Sequence, residues 1–65
     1  MKIRICVIDR NDSPVGIGLV VNASVSTLEG FSNQLGLIVL GGDIDCLLVL
    51  DESGRKFLII NEVAE

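Results

Sequence analysis

Apolar residues recur along this chain in short runs separated by polar turn residues, a pattern typical of a β-rich domain. The runs at residues 3–8 and 15–21 alternate in part, and those at 37–40, 46–50 and 57–60 are continuous. These five runs predict five short strands. Because the later runs are apolar at consecutive positions, both faces of their strands must be covered, which predicts a small curled sheet or barrel.

The clearest local signal is a hairpin near the end of the chain. Residues 46–50 and 55–60 flank the polar link Asp51-Glu52-Ser53-Gly54. A link of this length with glycine in its last position is typical of a type I turn that ends with a residue in the left-handed region. Residues 9–14, which are rich in Asp, Asn and Ser and end at Pro14, predict a second turn.

The glycines of the second strand point to a bend. Gly16 and Gly18 fall on one face of the run at 15–21 and would weaken a strand unless it curves or another group packs closely there. Gly41 and Gly42 are expected to end the run at 37–40. In the polar tail, Val63 is expected to pack back on the domain.

Residues 26–35 predict one or two helical turns that close one end of the sheet. Ser26 and Glu29 have capping-box spacing, and the apolar residues Leu28, Phe31 and Leu35 recur at helical intervals. Gly30 lies inside the segment and costs about 1 kcal/mol relative to alanine.

The composition is more apolar than one small domain needs. The chain has 65 residues, which fits a single β-barrel domain over residues 1–65, and 49% of them are hydrophobic. The interior of a small five-stranded barrel holds roughly a dozen side chains. The surplus predicts a homo-oligomer or a protein partner, and the alternative is that it is dispersed over the outer strand faces.

Charge and cysteine usage narrow the class of partner. The net charge is −4 with only five basic residues, so a nucleic-acid partner is not expected. No run of 18 apolar residues is present, so a membrane partner is not expected either. Cys6 and Cys46 lie in apolar runs and are expected to be free thiols, which fits a cytoplasmic protein.

We find no pattern that predicts catalysis, a cofactor or a metal. The chain has no histidine to activate a cysteine nucleophile. The bare Gly16-Ile17-Gly18 lacks the third glycine and the following helix of a dinucleotide fingerprint. Asp43 and Asp45, with Asp51 nearby, are interpreted as solvated turn residues rather than as ligands of a hard cation.

Two segments resemble the PRC-barrel family, a small β-barrel module found as the C-terminal domain of a bacterial ribosome maturation factor. Residues 7–20 are similar to the family's entry strand, turn and following strand, with Gly16 opening the latter. Residues 45–50 and 54–59 are similar to its hairpin, followed by Glu62-Val63. The chain departs from the family where Asp12 or Ser13 replaces the turn glycine. The resemblance implies a docking module without chemistry of its own, and an SH3-like barrel is the alternative.

The sequence therefore predicts a non-enzymatic interaction or assembly module that docks or self-associates through an aliphatic β-surface. The predicted interface residues lie in the third strand and the last hairpin and are Ile38, Leu40, Leu47, Leu48, Val49, Leu58 and Ile60. The alternative function is a small-ligand binder, for a nucleotide or metabolite, with its pocket between protomers of an oligomer.

Overall fold

The computed structural model describes residues 1–62, which form five β-strands and one short α-helix. The elements are β1 (Lys2–Ile8), β2 (Pro14–Asn22), α1 (Leu28–Gln34), β3 (Ile38–Asp43), β4 (Cys46–Leu50) and β5 (Lys56–Asn61). The prediction of a mostly β chain with five strands and a short helical insertion is confirmed. The prediction for Val63 lies outside the described residues.

All five strands belong to one antiparallel sheet in the order β2–β1–β5–β4–β3. Three hairpins join β1 to β2, β3 to β4 and β4 to β5, and the long-range pairing of β1 with β5 connects them into one sheet. Within residues 1–62 no pairing joins β2 to β3, so these two strands are the edges of the sheet.

The helix starts one residue later than the sequence predicted. Thr27, and not Ser26, is the N-cap: its hydroxyl accepts a hydrogen bond from the backbone N–H of Gly30 at 2.9 Å. Both residue types cap well, so capping preference alone does not distinguish the two positions. With Thr27 as the cap, Leu28 and Phe31 both face the sheet and are buried.

The core lies between α1 and one face of the sheet. It consists of Ile3, Leu28, Phe31, Leu47, Val49 and Ile59. Because alternate strand residues point to opposite faces, the register that pairs Leu47 with Ile59 places both against the helix. The same register turns Leu48 and Leu58, which are also paired, to the opposite face.

The predicted β4–β5 turn is confirmed. Its first residue, Asp51, accepts hydrogen bonds through one carboxylate oxygen from the backbone N–H groups of Ser53 and Arg55, at 3.0 and 2.9 Å. Gly54 has a φ of 85°, in the left-handed region that favours glycine. The turn therefore fixes the register of the hairpin through its own residues.

The β1–β2 turn has the same hydrogen-bonding pattern. One oxygen of the Asp9 carboxylate accepts from the backbone N–H groups of Asn11 and Ser13, at 2.8 and 3.1 Å. The position equivalent to Gly54 is Asp12, whose φ is 62°. Aspartate tolerates this conformation better than most residues, but less well than glycine.

Both edge strands are irregular where their glycines lie. The pairing of β1 with β2 shifts between Ile5 and Val7, opposite the Gly16–Gly18 segment, so the predicted bend of β2 takes the form of a bulge. The pairing of β3 with β4 shifts between Val39 and Gly41. The expectation that Gly41 and Gly42 end the third strand is wrong, because β3 continues through both to Asp43.

Candidate interaction surface

The predicted interface residues divide between the two faces of the sheet. Leu47 and Val49 lie in the core beneath α1 and are 8% and 0% exposed, so neither belongs to the face of the sheet opposite the helix. Leu48, Leu58 and Ile60 point away from the helix and are partly buried. Ile38 and Leu40 lie on the edge strand β3 and are exposed.

We use the term open face for the side of the sheet opposite α1. Its centre is formed by partly buried aliphatic and thiol side chains from β4 and β5, which are Cys46, Leu48, Leu50, Leu58 and Ile60. Cys6 of β1, which pairs with Leu58, is almost completely buried there. The helix therefore covers one apolar set of the last hairpin, and the other set forms this second, shallower apolar layer.

One ion pair lies beside the open face. Arg4, whose strand position pairs with that of Ile60, places its Nη2 2.8 Å from Oε1 of Glu62. The hydrogen bond from Arg4 lowers the pKa of the Glu62 carboxyl below its ordinary value, and the same bond raises the pKa of Arg4. Both side chains remain about 30% exposed, so the pair contributes little to stability.

Among the described residues, the most exposed large aliphatic side chain lies on the other edge strand, at a position outside the interface predicted from the sequence. Ile17 is 83% exposed and occupies the bulge of β2. Val15 and Leu19, two residues to either side, are also exposed. We call Val15, Ile17 and Leu19 the β2 ridge. Its sequence signal is the pair of glycines that flank Ile17.

A groove lies at the opposite edge, between the start of α1 and the β3–β4 hairpin. Its volume is about 320 Å³, and it is lined by Thr27, Leu28, Glu29, Val39, Gly42, Asp43, Ile44 and Leu47. Ile44, in the turn of the hairpin, is 78% exposed. The lining is mainly apolar, and within residues 1–62 its charged members are the carboxylates of Glu29 and Asp43.

Asp43 and Asp45 take part in the turn between β3 and β4. Asp43 accepts a hydrogen bond from the backbone N–H of Asp45 at 3.0 Å. Burial, with a contribution from the charge of Asp43, raises the pKa of the Cys46 thiol, so this thiol is a weak nucleophile at neutral pH. Among residues 1–62, no three Cys, Asp or Glu side chains come together in a way that could hold a metal ion.

None of the helices in the described part of the chain has the length and apolar character needed to cross a membrane. No family model matches the chain, and neither a curated protein nor a solved structure matches it. The resemblance to the PRC-barrel family therefore stays a prediction from the sequence, and the surface itself supplies the argument about function.

Proposed function

We propose that this chain is a non-enzymatic assembly module that binds protein, including its own kind, through aliphatic side chains at the edges of its sheet. The observation that carries the proposal is the clustering of large exposed aliphatic residues on the two edge strands. The β2 ridge lies at one edge, and Ile38, Val39, Leu40 and Ile44 lie at the other. Such patches on a small protein are typical of interfaces.

The exposed area suffices for a weak to moderate contact. The three side chains of the β2 ridge together expose the equivalent of about two complete aliphatic side chains, and burying one of these contributes about 1.5–3 kcal/mol. The β3 edge exposes a similar amount. Burying both patches in one contact would contribute roughly 6–12 kcal/mol, against an association cost of roughly 4–15 kcal/mol. We therefore expect a Kd that is micromolar or weaker.

The polar residues of the chain suit a supporting role in this function. The charged residues of the two Asp-led turns lie at the rim of the sheet, where they favour solubility over contact. Aliphatic burial tolerates salt, whereas contacts between exposed charges weaken when the Debye length shrinks. Both cysteines are free, which fits the proposed cytoplasmic location, where thiols are kept reduced.

Sedimentation equilibrium over about 5 μM to 1 mM tests the proposal. We expect the average mass of the wild-type chain to rise with concentration, equally at low and high salt. The variant Ile17→Asp/Ile44→Asp, which places a charge at each edge, should remain a monomer. The matched control is Ser24→Asp/Asn33→Asp, which adds the same charge at exposed positions outside both edge strands and should behave as wild type.

A wild-type chain that stays monomeric throughout that range would contradict self-association. Loss of association in the control variant as well would show that net charge, and not the aliphatic edges, governs it. Far-UV circular dichroism of each variant verifies that the fold is intact, since both substituted isoleucines are mostly exposed.

A second candidate function is a small-ligand binder, and the groove beside β3 is the observation that favours it. Its volume of about 320 Å³ falls at the lower end of the range for small-molecule pockets, and it is open to solvent on one side. A second protomer at the β3 edge would enclose it further. Native mass spectrometry of the purified chain distinguishes the two functions, because an assembly module should carry no nucleotide or metabolite.

A further inference from the structure

We propose that copies of this chain associate head to tail, with the β2 ridge of one copy seated in the groove between α1 and the β3–β4 hairpin of the next. This inference rests on the proposed function in its self-association form. It specifies which two surfaces meet and therefore which assemblies can form.

The ridge is a fixed protrusion because the backbone on either side of Ile17 is constrained. Gly18 has a φ of 76°, and a Cβ at this position would lie 2.6 Å from the carbonyl oxygen of Ile5. Only glycine fits so close to β1. The guanidinium of Arg4 donates a hydrogen bond to the Ile17 carbonyl, which holds the bulge from the other side. The Ile17 side chain is thus presented to solvent by a constrained segment.

The groove offers an apolar lining to such a side chain. Core residues Leu28 and Leu47 form part of its lining, and Val39 and Ile44 extend the apolar surface outward. An aliphatic side chain that enters it would bury apolar surface against these residues. The groove is therefore a suitable receptor for a protruding isoleucine, and the ridge carries the most exposed one in the described part of the chain.

Charge favours pairing of unlike surfaces. Among the described residues, the lining of the groove has the carboxylates of Glu29 and Asp43 and no basic side chain. The three residues of the ridge are uncharged, and the Arg4 guanidinium beside them is neutralised by its ion pair with Glu62. A contact between two grooves would bring four carboxylates together, and a contact between two ridges would leave both grooves exposed to water. A contact between the ridge of one copy and the groove of another avoids both penalties.

Contact between two different surfaces of the same chain is heterologous, and it closes into a ring or continues as an open chain of subunits. We therefore expect species larger than a dimer, with an average mass that exceeds twice the 6.9 kDa of one chain at high concentration. An isologous contact through either edge alone would stop at the dimer.

Complementation of two single variants tests the arrangement. Ile17→Asp removes the ridge and leaves the groove intact, whereas Ile44→Asp damages the groove and leaves the ridge intact. We expect each variant alone to be monomeric at concentrations where the wild type assembles. We expect their equimolar mixture to form a 1:1 heterodimer that does not grow further, measured by sedimentation velocity or native mass spectrometry.

Three results would overturn the arrangement. Retention of wild-type assembly by either variant alone would assign the contact to the other edge. The mixture could remain monomeric although both variants are folded, or the wild type could be a dimer at all high concentrations. In each of these cases the wild-type chain still self-associates, so the proposed assembly function survives. A wild-type chain that is monomeric at every concentration overturns this inference and self-association together. Ile17→Ser and Ile44→Ser replace the aspartate variants if either of those fails to fold.

Discussion

The substitution Gly42→Ala should remove much of the stability of the fold, whereas Gly41→Ala should not. Gly42 has a φ of 123°, in a region that side-chain-bearing residues rarely adopt. A Cβ at this position would lie 2.1 Å from the carbonyl oxygen of Cys46 and 2.9 Å from Cα of Leu47. Both are backbone atoms of the paired strand β4, so they cannot move aside without disturbing the hairpin. A Cβ on Gly41 meets nothing within 4 Å.

The structure sets the size of the effect. The unfavourable φ costs about 1–3 kcal/mol, and forcing the two strands apart costs about 1–3 kcal/mol more. A chain of this length is expected to have a free energy of unfolding of roughly 3–10 kcal/mol. Gly42→Ala therefore removes a large share of the total. Gly41→Ala should change the free energy of unfolding by about 0.5 kcal/mol or less.

Urea denaturation followed by far-UV circular dichroism measures the difference, because the chain has no tryptophan or tyrosine to report by fluorescence. For a small domain the free energy of unfolding falls by about 1 kcal/mol per molar urea, so the midpoint of Gly42→Ala should drop by about 2 M or more. The Gly41→Ala midpoint should stay within about 0.5 M of wild type. Equal midpoints for the two variants would refute the role assigned to the close approach of β3 and β4.

Two further predictions concern the Asp-led turns. Asp12→Gly should stabilise the fold by about 0.5 kcal/mol, because the φ of 62° suits glycine better, and Gly54→Asp should destabilise it; urea midpoints that move in the opposite directions would contradict this. Hydrogen bonds from Ser53 and Arg55 lower the pKa of Asp51. Its contribution is therefore present above the ordinary carboxyl pKa of about 4 and is lost as the pH falls toward the lowered value. As the pH falls from about 5 to about 2, the free energy of unfolding of Asp51→Asn should decrease less than that of the wild type. Urea midpoints at each pH measure this difference. The same pH dependence in both proteins would contradict the stabilising role of the Asp51 carboxylate.

Sequence reasoning succeeded where local chemistry decides the structure. The turn from Asp51 to Gly54 follows from the type of its own residues, and the period of two in the flanking runs follows from strand geometry. Sequence reasoning failed where pairing with a distant segment decides the secondary structure. Gly41 and Gly42 indicate a strand end by propensity, but pairing with β4 keeps them in β3. Such tertiary effects override local preference.

Which apolar side chains are exposed could be predicted only in part, for a similar reason. The apolar pattern of β4 and β5 shows that two sets of side chains need cover, but periodicity alone cannot tell which set α1 covers. The structure assigns Leu47 and Val49 to the helix side and Leu48 to the open face. For Ile17, the flanking glycines predicted a bend, but the exposure of its side chain depends on the bulge register between β1 and β2.

The same bulges bear on how the edges make contact. An edge strand that adds a further strand through its backbone needs a regular row of free N–H and C=O groups. The shift opposite Gly16–Gly18 interrupts that row in β2, and the shift between Val39 and Gly41 interrupts it in β3. Bulges of this kind discourage indefinite edge-to-edge pairing. They leave the aliphatic side chains exposed while interrupting the backbone pairing groups. This combination favours the proposed contact through side chains, with Ile17 in a groove, over extension of the sheet.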